Sequence, residues 1–519
     1  MSTSSHGEES SRGNGSSSRI ISLRKFLKEA VFVGAEDICV RRCVNRADQC
    51  RPGDVFIPRL SAQTDEHDNA EEAVRRGAVA IVAERILPVS VPQCLVENTS
   101  KVYAQVCHAL AGNPSQRMLT IGIVGTHGKT TTALFVAAML KRLGGAVAYY
   151  TSLGASDSTE CDRAARQPPA ARKLAKWLQR SEEAGSPAAI IEITPTMLAN
   201  QATDGLGFDL IIATGLRSPQ LRTPYGQRDT AALLTRLVNN SLKSHGILLY
   251  NADDACVAQW AEGAGVESVS YGLDAAVHVR AKRLSRAGGE QQLLAMAGNL
   301  LMPLTLKIPG DQIARAAMAA VATSWVFQFS VPEAIAGIES LESIPGRMQR
   351  IHQAVEVPVY IDAGQTPDRV AVSLHALRQH HLGPATIVLD LDGRLDPKWR
   401  QRLGEVLEKA AHRVVLSASD MSPVAAQSIA MDVLGGFASP GRVQVIPDRE
   451  AAIRWAVENT DNGVLLLAGC GINVWTTRDG ESVSDEAVAT RCVQVKNQKP
   501  SIPNLSLFPP SEPSAFFSH

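Results

Sequence analysis

The sequence predicts an α/β protein built on two parallel, helix-covered sheets, with a smaller α/β region ahead of them. Three observations carry this prediction. Short β-branched or apolar runs alternate with helical patterns, the signature of parallel strands covered by helices. The runs form two series, too many strands for one compact sheet. The length, 519 residues, leaves room for about three domains.

In chain order, residues 2–18 are rich in Ser, Gly and Glu and hold no large apolar side chain. Such a segment cannot offset its ordering entropy, so residues 1–18 are expected to form a disordered tail. Residues 19–115 form the first domain, with strands at 55–57 and 78–83 and a helix at 69–76. Residues 116–340 form the central domain, with strands at 119–124, 146–151, 188–193, 210–214 and 246–250. Its helical patterns include 129–143 and 312–326. Residues 341–495 form the last domain, with strands at 357–362, 385–391, 413–417, 443–446 and 464–468. Helices fall between them at 367–378, 397–411 and 449–458. Residues 496–519 carry Pro500, Pro503, Pro509, Pro510 and Pro513 and read as a second, extended tail. No repeat of solenoid period is found.

Composition excludes several function classes. Lys plus Arg and Asp plus Glu both total 52, giving zero formal net charge. That argues against binding nucleic acid or an anionic membrane by bulk charge. Aromatics make up only 5%, which argues against stacking platforms for single strands. Nine scattered cysteines suit a reducing compartment better than a disulfide framework. Cys39, Cys43 and Cys50 lack a neighbouring His and read as ordinary structural residues rather than a zinc site. The adjacent His380 and His381 read as solvent-facing or helix-capping. No apolar run reaches membrane-span length, and the N-terminus lacks the apolar stretch of a signal peptide. A soluble cytoplasmic protein is expected.

The strongest local signal is the run from Thr120 to Thr132, Thr-Ile-Gly-Ile-Val-Gly-Thr-His-Gly-Lys-Thr-Thr-Thr. A strand enters a glycine turn and leaves as a helix. Glycines let backbone N–H groups close around phosphate oxygens, and the helix start adds partial positive charge. Lys129 can reach the β and γ phosphates, and Thr130 can hold Mg²⁺. The general phosphate-loop spacing would place a glycine at 123, where Ile123 stands. The match is to the shorter form Gly-Thr-x-Gly-Lys-Thr, spanning Gly125 to Thr130.

With this loop the chain resembles the Mur ligase family, ATP-dependent amide ligases of the peptidoglycan stem peptide. Further segments follow in the family order. They are Pro52-Gly-Asp-Val-Phe56, Asn251-Ala-Asp-Asp254, Pro345-Gly-Arg-Met348 and Asp362-Ala-Gly-Gln-Thr-Pro-Asp368. The resemblance covers about residues 40–490 and is greatest to the MurE branch. It implies a three-domain architecture: a small N-terminal α/β domain for the UDP-substrate, a central ATPase domain and a Rossmann-like amino-acid domain. It implies ATP and Mg²⁺ as cofactors, and a UDP-MurNAc-peptide and an amino acid as partners. No nucleic acid or membrane partner is expected, and a monomer is. Lys129, Glu192 and Arg236 are implied at the reacting centre. Gly125, Thr126, His127, Gly128, Lys129, Thr130, Thr131, Asn251, Arg347 and Asp362 are implied at the nucleotide, with Thr130 and Glu192 at the metal.

Departures from the pattern are numerous. After Glu192 the family places a His where Thr196 stands. Its Arg-Asp-His segment is replaced by Arg217-Ser-Pro-Gln-Leu-Arg222. Counting back from Asn251, its carbamylated lysine falls on Arg236, which stays cationic and would repel Mg²⁺ or replace part of its role. Gln365 replaces a His, Asp390–Asp396 replaces a glycine-rich run, and Gly469-Cys-Gly-Ile-Asn473 replaces Gly-Lys-Gly-His-Glu. The diaminopimelate-reading Asp-Asn-Pro-Arg survives only as Ser419-Asp-Met-Ser-Pro423, without its arginine. Two functions follow: a MurE-like ligase with altered amine choice, or a nucleotide-binding pseudoenzyme with a regulatory or scaffold role. An unrelated P-loop ATPase is a third, set aside by the ordered downstream motifs.

Overall fold

The computed structural model describes residues 19–60, 64–162, 168–216, 230–274, 276–351, 357–477 and 479–498. The tail expected at 1–18 lies outside these residues, as does nearly all of that at 496–519. The last helix runs on to Gln498, past the boundary placed at 495. Two compact units make up the chain: residues up to 342 without 287–289, and residues from 343 onward with Ala287–Gly289.

The first unit opens with a five-stranded sheet. Its strands are β1 (Val31–Val33), β2 (Cys43–Val44), β3 (Val55–Phe56), β4 (Ala80–Ala83) and β5 (Gln93–Leu95), in the order β1-β5-β4-β3-β2. Only β1 runs antiparallel to its neighbour. Helix α1 (Ala70–Arg75) precedes β4, and α2 (Thr99–Leu110) follows β5. Asn98 caps α2 through its side chain on the Lys101 amide, satisfying one of the unpaired N–H groups of a helix start. Cys43 on β2 and Cys107 on α2 are both buried, their sulfurs 3.7 Å apart.

One titratable group on α2 sets an acid limit to stability. His108 is fully buried, and burial lowers its pKa from 6.5 to about 4. The unfolded chain takes this proton below pH 6.5, whereas the folded chain takes it only near pH 4. Stability should therefore fall by ~3 kcal/mol as pH drops through that window. Urea midpoints of wild type and His108→Gln between pH 7 and 4.5 check this. Parallel pH slopes for the two proteins would refute it.

The same unit holds an eleven-stranded sheet. Its parallel centre comprises β6 (Leu119–Val124), β7 (Val147–Thr151), β10 (Ala188–Glu192), β11 (Phe208–Ala213), β12 (Leu242–Asn251) and β13 (Ser268–Gly272). The short β8 (Gly154–Ser156) and β9 (Cys161–Asp162) extend one edge antiparallel. At the other edge lie β14 (Val279–Ala287), β15 (Glu290–Ala297) and β16 (Leu300–Leu306), and β15 pairs antiparallel with β16. The full order is β9-β8-β7-β10-β6-β11-β12-β13-β14-β15-β16. The buried strands read as continuous apolar runs, as two-faced burial requires: all of β10 is buried, Ala-Ala-Ile-Ile-Glu. The β14–β16 extension adds three strands to those the apolar runs predict. Helices α3 (Lys129–Arg142), α4 (Ala171–Glu183), α5 (Pro195–Ala199), α6 (Thr230–Ser241), α7 (Ala255–Glu262), α8 (Asp311–Val326) and α9 (Val331–Glu339) complete the unit. One apolar core runs from Leu23 and Val106 to Ile191, Phe208 and Leu248.

The second unit is a six-stranded sheet in the order β17-β18-β22-β19-β20-β21. Its strands are β17 (Gln349–Arg350), β18 (Val359–Asp362), β19 (Ala385–Asp390), β20 (Arg413–Ser417), β21 (Val443–Val445) and β22 (Val464–Ala468). All pairs are parallel except β17 with β18. Helices α10 (Pro367–His380), α11 (Pro397–Ala410), α12 (Pro423–Leu434), α13 (Arg449–Asn459) and α14 (Asp485–Gln498) connect or follow the strands. Three of them begin with proline, whose fixed φ and missing N–H suit a first helical position. His380 does not face solvent: it ends α10 at 5% exposure, because the helix end packs onto the sheet. His381 lies with Nε2 2.9 Å from the Tyr360 hydroxyl of β18.

Candidate nucleotide site

Five neighbouring parallel strands deliver the candidate site at their carboxyl ends, where open α/β sheets place their ligands. In spatial order these ends carry Ser152 after β7, Glu192 on β10, the loop Gly125–Gly128 after β6, Thr214 after β11 and Asn251 on β12.

The loop is shaped by its glycines. Gly125 has φ +134°, and a Cβ there would stand 2.4 Å from Thr214 Oγ1. Gly128, at φ +81°, begins α3, and no side chain caps that helix start. Its first N–H groups are thus left for an anion. Thr126 N–H donates to the Gly215 carbonyl at 2.9 Å, and Thr126 Oγ1 lies 3.1 Å from His127 Nδ1. The His127 ring covers Gly215, where a Cβ would stand 2.2 Å from the ring. Thr214 Oγ1 donates to the carbonyls of Val124 and His127, tying β11 to the loop. Thr131 is buried in the first turn of α3.

Lys129 Nζ donates to the Gly125 carbonyl at 2.9 Å and stands 4.0 Å from Glu192 Oε1. Thr130 Oγ1 donates to Glu192 Oε2 at 2.8 Å, and the Ser152 N–H donates to the same oxygen at 2.9 Å. Asn251 Nδ2 donates to the Thr214 carbonyl at 3.0 Å, while its Oδ1 accepts from Asp253 N–H. Asp254 caps α7 and accepts from Leu216 N–H. The structure thus brings Gly125–Thr131, Glu192 and Asn251 together. Spacing along the chain gave no hint of Ser152 and Thr214, although each directly follows an apolar strand.

Arg236 is placed differently. Its guanidinium donates to the Leu198 carbonyl near the end of α5, and no ion pair joins it to Glu192 among the described residues. It also lowers the pKa of buried Asp204, against the larger upward pull of burial. Thr196 lines a cavity of about 90 Å³ with Asn45, Arg59, Ser100, Tyr103 and Asn200. The segment Arg217–Arg222 lies outside the described residues.

Arg347 and Asp362 belong to the second unit. Arg347 Nη1 donates to the Gly346 carbonyl. Asp362 accepts from the Met348 and Gly364 amides and the Ser373 hydroxyl, which ties the Pro345–Met348 segment to the end of β18. The crevice at the strand ends holds Asp390, which accepts from Ser417 Oγ, Ser419 N–H and Ser419 Oγ. Asp392 is taken by a bidentate Arg394.

The first unit's donor set suits a triphosphate with a hard dication: glycine cradles, one lysine, one carboxylate and hydroxyl oxygens. Such a metal is commonly held by one or two carboxylates together with substrate phosphates. Among the described residues no three His, Cys, Asp or Glu side chains converge on a metal.

Fold and site together define a P-loop-type α/β protein with a second, Rossmann-like unit. Residues 123–324 match the Mur ligase middle domain and residues 346–471 the Mur ligase glutamate ligase domain. The chain belongs to the Mur ligase family. It is similar to the UDP-N-acetylmuramoyl-L-alanyl-D-glutamate–2,6-diaminopimelate ligase of Geobacillus thermodenitrificans, at 26% identity over 85% of this chain and 92% of that protein. The corresponding ligase of Bacillus licheniformis is 25% identical over 92% and 99%. A solved structure of a protein with that same name matches with TM-score 0.68 at 19% identity, covering 92% of this chain and all of the other. MurF ligase from Thermotoga maritima in complex with ADP matches with TM-score 0.58 at 19% identity, over 88% and 97%.

Proposed function

We propose that the chain is a MurE-like, ATP-dependent acid–amino-acid ligase acting on a UDP-MurNAc-peptide in peptidoglycan precursor synthesis. One observation carries this reading: Lys129, Thr130 and Glu192 converge at the carboxyl ends of β6 and β10. The ligase names of relatives aligned over nearly their whole length support it over the pseudoenzyme alternative. We place the protein in the cytoplasm as a monomer; no described helix is long and apolar enough to cross a membrane.

ATP with Mg²⁺ supplies the phosphoryl group that turns a substrate carboxylate into an acyl phosphate, from which the amine then displaces phosphate. Lys129 leaves the Gly125 carbonyl for the phosphate oxygens and offsets the charge spread over them during transfer. Glu192 and Thr130 would hold the metal ion, which would offset phosphate charge. Asn251 fixes the Thr214 segment beside the loop.

The test is mass spectrometry of a reaction holding protein, ATP, Mg²⁺, UDP-MurNAc-L-Ala-D-Glu and a pool of amino acids. A UDP-linked tripeptide is the expected product. No product from folded, ATP-binding protein would return the pseudoenzyme reading. We further expect diaminopimelate not to be the preferred amine, because no arginine follows Ser419 before Pro423 and Ser419 is itself bonded to Asp390. In an equimolar competition another amine should dominate the product. Selective use of diaminopimelate would overturn that expectation.

A further inference from the structure

We infer that Cys43 and Cys107 are a redox-sensitive pair, joined into a disulfide by a hydroperoxide and parted again by a dithiol. The inference is independent of the ligase reading.

Geometry carries it. Cys43 lies on β2 and Cys107 on α2, 64 residues apart in the chain, yet their sulfurs stand 3.7 Å apart. A disulfide needs about 2.05 Å, so side-chain rotation with a small approach of α2 to β2 closes the bond. Both partners are held in place by their elements. Cys43 pairs with Val55 in the sheet, and Asn98 caps the helix that bears Cys107. The two thiols share one apolar core with Val40, Val55, Val102 and Val106.

Burial sets the order of events. The Cys107 thiol and burial raise the Cys43 pKa, and Arg172 opposes the rise. The thiolate is therefore scarce, and attack on peroxide is slow. One sulfur takes an oxygen from the hydroperoxide, which leaves as an alcohol, and becomes a sulfenic acid. The other sulfur, already in contact, attacks it, and water leaves with that thiol's proton. In all, two electrons and two protons pass from the thiols to the peroxide. This second step outruns a second peroxide, so the pair stops at the disulfide. In a reducing compartment such disulfides are of the transient, redox-sensing kind.

The bond has a consequence for the fold. Ser100, Tyr103 and Cys107 stand at i, i+3 and i+7 on α2 and so share one face of the helix. Ser100 and Tyr103 line the cavity of about 90 Å³, as does Asn45, two residues beyond Cys43. A Cys43–Cys107 bond thus ties together two segments of the cavity wall.

The test first alkylates the exposed thiols of the folded, reduced protein, Cys39, Cys161 and Cys256 among them. tert-Butyl hydroperoxide is added, and the protein is then unfolded, alkylated with a heavier reagent and digested. The expected product is a cross-linked Cys43–Cys107 peptide, lighter than the two thiols by two hydrogens and abolished by dithiothreitol. Amide exchange along α2 should slow about tenfold or more in the cross-linked protein. Cys43→Ser and Cys107→Ser should show neither effect, and the wild-type peptide map decides alone if either variant fails to fold. Exposed Met431 serves as the measure of oxidant dose. Both thiols still free once Met431 has become its sulfoxide would overturn the inference. So would a sulfinic acid at either cysteine, a disulfide to a different cysteine, or unchanged exchange along α2 in the cross-linked protein.

Discussion

Replacing Lys129 by alanine should weaken ATP binding by at least ~100-fold and take turnover below detection. A hydrogen bond to a charged partner is worth about 1.5–3 kcal/mol, and each 1.4 kcal/mol is a tenfold change. Lys129 is placed to make more than one such bond, since its side chain is only 10% exposed and aims along the loop at the Gly125 carbonyl. The loss should exceed what general electrostatics would give, because the site is buried and poorly screened. The fold should survive: Lys129 Nζ donates to the Gly125 carbonyl within its own loop and stands 4.0 Å from Glu192 Oε1. Lys129→Arg should not restore turnover, since a planar fork cannot replace a point charge at this turn. Isothermal titration with ATP·Mg²⁺ on both variants decides the matter. Wild-type affinity in Lys129→Ala would remove the loop from the site.

How far the sequence led differs between the two kinds of feature. Buried parallel strands are written as unbroken apolar runs, so β6, β10, β19 and β22 could be placed within a residue or so. Helix starts were legible where chemistry marks them, as at Pro397 after its cap Asp396, whose side chain accepts from Lys398 N–H. The β14–β16 extension escaped because its strands face water on one side and carry Arg280, Lys282, Arg283 and Arg286. Its alternating burial and the Gly288-Gly289 turn were the available signals. The phosphate loop is contiguous and therefore readable. Glu192 emerged only through its resemblance to a family segment. Ser152 stands 22 residues from Thr130 with no fixed spacing rule, and only the pairing of β7 with β10 brings it to the site. Arg236 shows the converse. Its place in the chain follows from its distance to Asn251, and its partner, the Leu198 carbonyl, depends on how α6 crosses α5.

Asp485→Ala should be the most destabilising single change in the second unit. Arg449 and Asp485, the first residues of α13 and α14, form a bidentate pair with both side chains at 0% exposure. Arg449 also donates to the Ala468 carbonyl and to Ser417 Oγ, and Trp475 Nε1 donates to Asp485 Oδ1. Removing the carboxylate strands a guanidinium that cannot shed its proton, at a cost of about 3–5 kcal/mol. The melting point should fall by roughly 10 °C. Asp485→Asn should cost less, since an amide oxygen can still accept one of these bonds. The double variant Arg449→Met/Asp485→Leu should recover part of the loss, because no charge is left stranded, while Trp475 Nε1 and the Ala468 carbonyl still lose their partners. Ser417 connects this network to Asp390 at the strand ends. The double variant should therefore still show weakened amine use, as a raised KM. Calorimetry of the three variants, with KM for the amine, separates the two roles. A midpoint within about 2 °C of wild type in Asp485→Ala would show that the buried pair does not hold this unit together.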